Sequence, residues 1–394
     1  MTDRSAPGRE PYPGDVVCSP SEAEWLRVTA FLNRHRYELA VRAAAGYPPA
    51  FRVAGTPLLA PPAWRLPSPV PLDRLKLEFR PDTPPPDVPD LAALAPDALP
   101  ARPDGTRYGR YSEVVAALAA PAVFENRPTY RLIEADLAGQ AGPRLAFARG
   151  RFFDGVDTGG AAGYEYAAAR RSEVTDPGTD RGARCPYRAA LGGPAGLARR
   201  SALVATSALT LRYDPVTGSA TFPLHYRHPG QVSHAGGLYQ VIPVGVFQPS
   251  GEARWNEAND FSLWRGLLRE YAEELLGADE DYGSERAPID YAAWPLAKAM
   301  SDGLAGGRVR AWCLGLGADP LTFAIDLLAV VVIDAPLYDD LFGDLVDVNA
   351  EGRVIKPRPF DELSVGELLA GAPLQAAAAA VLELALTHRA TLLA

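Results

Sequence analysis

The stretch REYAEELLG, residues 269–277, sets Arg269 and three glutamates, Glu270, Glu273 and Glu274, within six consecutive positions of what reads as a helix. At about 100° per residue the three carboxylates fall within an arc of about 100° on one side, and Trp264, Leu268, Tyr271 and Leu275 line the other. Glu270 and Glu274 form an i,i+4 like-charge pair, a small cost in an isolated helix. Arg269 can reach Glu273. A solvated acidic face is the simplest reading of such a cluster. Its neighbours argue otherwise: Gly266 and Gly277 share the glutamate side and Leu263 and Leu267 flank it, so that side is expected to meet other protein. A hard divalent cation, Mg²⁺ or Mn²⁺, takes clustered carboxylates as ligands and removes their repulsion.

Outward from this helix the pattern alternates. Upstream, SALVATSALTLRYDPVTGSATFPLHYR (201–227) reads as two strands joined by a turn at Asp214, Pro215 and Gly218, and GLYQVIPVGVFQPSG (237–251) as a further strand. Asn259 or Asp260 is the expected N-cap and Gly277 the stop. Downstream, GRVRAWCLGLG (307–317) and TFAIDLLAVVVID (322–334) are apolar runs bracketing a turn, and an alanine-rich helix closes the chain. The order of strands, helix, strands and helix predicts an α/β sandwich over 198–394.

Residues 1–197 predict a separate mixed α+β domain. SPSEAEWLRVTAFLNRHRYELAVRAAAG (19–46) reads as one long amphipathic helix with a capping box from Ser21 and Glu24. The proline-rich stretch that follows, densest at about 80–105, reads as an exposed connector. TYRLIEADLA and RLAFARGRFFDGVDT alternate like strands.

With 394 residues, 47% of them hydrophobic and 22% charged, the chain is long enough for two cores. A net charge of −9 argues against nucleic acid as a partner, since duplex binding needs a basic face. No run of apolar residues is long enough for a spanning helix or a signal peptide, so no membrane partner and a cytoplasmic location are expected. Three widely spaced cysteines, Cys18, Cys185 and Cys313, suggest buried thiols, neither a disulfide framework nor a zinc site.

The glutamate stretch resembles the core of the Nudix box, whose pattern is Gly, five residues, Glu, seven residues, then Arg-Glu-apolar-any-Glu-Glu-any-Gly-apolar. Arg269, Glu270, Tyr271, Glu273 and Glu274 match it; Leu276 stands where the family has its closing Gly, and Gly277 follows one position late. Pro243 and Gly245 are similar to the family's loop before the helix, with Val244 replacing its first glycine. The family's first Glu falls at Phe261 here. Glu252 is the nearest substitute, which makes ARWNEANDF (253–261) an insertion between loop and helix.

The resemblance covers about half the chain. It implies an α/β/α sandwich with a mixed sheet, and Mg²⁺-dependent (or Mn²⁺-dependent) hydrolysis of a phosphorylated small molecule containing a phosphoanhydride. By carry-over, Glu270, Glu273 and Glu274 would hold the cation with help from the Gly245 carbonyl, Glu252 would orient Arg269, and Arg227 would approach the substrate phosphates. Tyr239 and Gln248 are expected by position to line the pocket. A homodimer is compatible with this reading. A Nudix-like ligand-binding or regulatory protein is the alternative, because the loop spacing departs from the family's. His225, His228 and His234, and Asp154, Asp157, Asp319, Asp326 and Asp334, are weaker candidates, read as strand, strand-end or turn residues.

Overall fold

In the computed structural model the described residues are 18–175, 185–227, 237–279, 281–343 and 352–394. The strands are β1 (Arg65–Pro71), β2 (Lys76–Phe79), β3 (Pro128–Asp136), β4 (Arg144–Arg151), β5 (Ala202–Asp214), β6 (Ser219–Arg227), β7 (Tyr239–Gln240), β8 (Val244–Val246), β9 (Val309–Ala318), β10 (Ile325–Asp334) and β11 (Gly352–Pro359). The continuous apolar run Leu327–Ile333 makes β10 deeply buried, withdrawn from water on both faces as an interior strand must be. It pairs parallel to β5 and antiparallel to β9.

β5 is the hub. Its start pairs with β3, its middle with β8 and its end with β6, while β10 runs beside it over Val204–Tyr213. The main path is β1-β9-β10-β5-β3-β4-β2, with β6, β7, β8 and β11 branching from it. The protein is therefore of the α/β class, mixed helix and strand around a curled mixed sheet.

Helices cover the faces of β5. The glutamate helix (Leu263–Leu276) is tied to one of them by a hydrogen bond of 2.8 Å between the Tyr271 and Thr210 hydroxyls. Ser207, three residues away and so on the other face, donates to Asp326, and Gln375, which precedes the alanine-rich helix Ala376–Thr387, also bonds Asp326. That helix is buried along most of its length, as its small side chains allow. Among the described residues no helix is long and apolar enough to cross a membrane.

Several expectations for the first half are corrected. The first helix starts two residues early, capped by Ser19 and Glu22 with Pro20 in its first turn, and breaks at His35 into Pro20–Arg34 and Arg36–Ala45. The proline-rich connector is only partly exposed. Leu58, Leu59 and Ala60 are wholly buried, β1 pairs with β9, and Ala98 and Leu99 are core residues. Proline tolerates such edge and turn positions because the donor it lacks is not needed there. The boundary expected at 197/198 falls just before β5, and the sheet runs across it through β3–β5 and β1–β9. Of the cysteines, Cys313 is buried, Cys185 is half-buried and Cys18 is exposed.

Candidate functional site

The glutamate helix is capped by Ser262, whose hydroxyl accepts from the Arg265 amide, and it stops at Gly277, whose φ of 67° favours glycine. Neither Asn259 nor Asp260 caps it. Leu263, Leu267, Leu268, Tyr271 and Leu275 are buried in the core, which fixes the rotation of the helix and aims Glu270 and Glu274 at β8.

β8 meets them with backbone. The Val244 amide donates to Glu274 Oε2 at 3.2 Å. A Cβ on Gly245 would lie 1.7 Å from the Glu270 carboxyl carbon, so only glycine leaves room for that carboxylate against the strand. The side chain of Glu274 is buried and that of Glu270 half-buried. The side of the helix carrying these two glutamates is thus covered by protein.

Arg269 points the other way and locks the loop. Its Nη2 donates to the Gln248 carbonyl at 2.6 Å, its Nη1 donates to the Tyr291 hydroxyl at 2.6 Å, and Asp260 lies 3.5 Å away. Burial works against the guanidinium charge, but Tyr291, Asp260 and Glu270 outweigh it and hold the pKa above the ordinary arginine value. Asp260, itself wholly buried, accepts from the Ser250 amide and hydroxyl at 2.8 and 2.6 Å, and from Tyr291 at 2.9 Å.

Asp260, not Glu252, is the carboxylate beside Arg269. Glu252 sits at the surface, paired with Arg151 at 2.5 and 3.0 Å. The residue after Asp260 explains the exchange. Phe261 packs among Phe79, Tyr130, Phe147 and Phe247, with ring centroids 5.0 to 5.8 Å apart, so that position is committed to the aromatic core. The insertion between loop and helix bonds the first half of the chain. Glu257 takes a two-pronged ion pair from Arg149, at 2.7 and 2.8 Å, and its carbonyl accepts from the Tyr130 hydroxyl.

Glu273 takes a hydrogen bond from beyond the helix. It is offset by about 60° from Glu270 and by about 100° from Glu274 around the helix, and its Oε1 accepts from the Tyr282 hydroxyl at 2.7 Å. Burial, reinforced by the Glu273 charge, raises the Tyr282 pKa, so the phenol remains a donor. Among the described residues no three His, Cys, Asp or Glu side chains gather as a metal-holding group. Glu270 and Glu274 lie against β8, and Glu273 accepts from Tyr282, on which the Glu270 charge also acts. The two carboxylates and the adjacent backbone offer hard oxygen donors of the kind Mg²⁺ takes.

Of the other expected residues, Gln248 contributes its carbonyl to Arg269. Arg227 and Tyr239 form a second grouping on β6 and β7, where Arg227 Nη1 lies 3.5 Å from Gln240 Oε1 and the Tyr239 ring lies 5.0 Å from that of Tyr226. His225 is buried on β6, and His228 and His234 lie outside the described residues. Asp319 closes the β9–β10 turn by accepting two amides and a hydroxyl, Asp334 pairs with Arg310, and Asp154 and Asp157 accept from the amides of Arg151 and Ser112. Asp326, inside β10, is pushed up to about 7 by burial, with Asp319 adding to the effect.

Sequence reasoning missed Asp260, Tyr282 and Tyr291. Asp260 carried a signal, a carboxylate one position from the family's Glu, that the helix-cap reading absorbed. The two tyrosines lie beyond the helix and carried none. No protein-family model matches the chain, and no curated protein matches it.

Proposed function

We propose that the chain is a Nudix-like protein that hydrolyses a phosphoanhydride-containing small molecule, with Glu270 and Glu274 as the carboxylates that hold a divalent cation beside β8. The observation that carries this reading is the approach of Glu270 to Gly245, too close for any side chain there. That approach sets the Glu270 carboxylate beside the β8 backbone, near Glu274, which the Val244 amide holds.

A bound Mg²⁺ or Mn²⁺ supplies charge neutralisation at the phosphoryl oxygens. The chain's own residues build the corner. Val244 N–H orients Glu274, and Arg269, held by Asp260 and Tyr291, fixes the carbonyl of Gln248 and with it the loop that follows β8. In this reading Arg227 and Tyr239, on the strand pair leading into β8, are the substrate-side cation and ring.

A second reading, a ligand-binding or regulatory protein of the same shape, is favoured by one observation: Glu273 is engaged by Tyr282. Calorimetry separates them. Mg²⁺ or Mn²⁺ should bind the native protein and fail to bind Glu270→Gln/Glu274→Gln, and a phosphate-release screen over nucleoside diphosphate derivatives should show cation-dependent turnover. Cation binding without turnover on any of them supports the second reading. Equal cation binding by the double variant removes the first.

A further inference from the structure

On the flank of the glutamate helix away from β8, residues 272–279 and the segment 281–296 enclose an open cavity of about 530 Å³. That volume is within the range that admits a small organic molecule. Leu276, Ile289 and Leu296 supply aliphatic surface, and the rings of Tyr282 and Trp294 stand 5.5 Å apart at 60°. The remaining polar lining is acidic, from Asp279 and Asp290, and no Lys, Arg or His is among the described lining residues. Asp290 is fixed in place, its Oδ1 accepting the amides of Ala292 and Ala293.

We propose that this cavity is a binding site for a small organic cation with an apolar body, an aryl- or alkylammonium compound. Aromatic ring faces attract such a cation, the aliphatic wall takes its body, and the two carboxylates supply counter-charge. The same lining repels an anion, so the site is distinct from the proposed phosphoanhydride site and does not depend on it. Its occupancy reaches the glutamates through one group: Tyr282, a wall of the cavity, is also the donor to Glu273.

Titration calorimetry with benzyltrimethylammonium, benzyl alcohol and phenylacetate tests this. The ammonium compound should bind, more tightly than the alcohol, and the carboxylate should not. Asp279→Asn/Asp290→Asn, which keeps the shape of both side chains, should weaken the ammonium at least about fivefold, the loss expected for removing partly exposed charge pairing. Trp294→Ala should weaken it further, with its fold checked by circular dichroism. Glu270→Gln/Glu274→Gln should bind the ammonium as the native protein does. No binding of the ammonium at millimolar concentration overturns the proposal, as does equal binding of the alcohol, binding of the carboxylate, or an Asp279→Asn/Asp290→Asn variant that binds unchanged.

Discussion

Arg269 and Asp260 face each other at 3.5 Å with both side chains buried, and the carboxylate is held by Ser250 and Tyr291 as well. A buried ion pair of this kind is not in itself a large source of stability, because both partners lose their hydration. Its effect is positional. It spans the insertion, joining the helix to the loop that follows β8.

Removing one partner leaves the other charged and out of water. Asp260→Ala should therefore cost about 3–5 kcal/mol, whereas Glu252→Ala, which breaks an exposed pair with Arg151, should change stability by about 1 kcal/mol or less. Urea unfolding of the two variants beside the native protein measures both. Similar losses would mean that Arg269 does not depend on Asp260.

Gly245→Ala puts a methyl group into the Glu270 carboxylate, the mobile end of a flexible side chain. The carboxylate should swing away and the fold should stay within about 1 kcal/mol of the native protein. Cation affinity should fall about tenfold or more if Glu270 is a ligand, since a displaced oxygen is a lost ligand. Thermal melts and Mn²⁺ titration of the same sample separate the two effects.

Asp326 gives a pH dependence whose sign is fixed. Its pKa in the fold, about 7, lies above that of an unfolded aspartate, so between the two the folded state keeps a proton that the unfolded chain has released. Stability falls as pH rises through that window. Asp326→Asn should remove this slope, and its stability relative to the native protein should improve by about 3 kcal/mol from about pH 5 to about pH 8. Denaturant midpoints for both proteins at the two pH values are the check.

The thiols should divide by position. Burial pushes Cys313 up to about 12, and it lies inside β9, whereas Cys18 is exposed. Ellman's reagent should label Cys18 in the native protein and reach Cys313 only after unfolding, as Cys18→Ser and Cys313→Ser variants will assign.

The second half of the chain was legible because its apolar periodicity is strong. The buried run of β10, the turn at Asp214–Gly218, and the helix with Leu268, Tyr271 and Leu275 inward all announce themselves locally. The first half was harder to read, since nothing local says that Arg65–Pro71 will pair with the strand containing Trp312 and Cys313. At the site, the face shared by the glutamates was legible and the hydrogen bond from Tyr282 was not. Tyr282, which donates to Glu273, comes from beyond the helix, and only the tertiary structure decides its approach.

The pairing of β1 with β9 also bears on how the protein is made. Arg65 leaves the ribosome long before its partner Gly315 exists, and β5 must likewise wait for β10. Until then the edges of β1 and β5 are unpaired, a state prone to association with other chains. Folding should thus be largely post-translational, and truncated nascent chains ending before Val309 should depend on chaperones to remain dispersed.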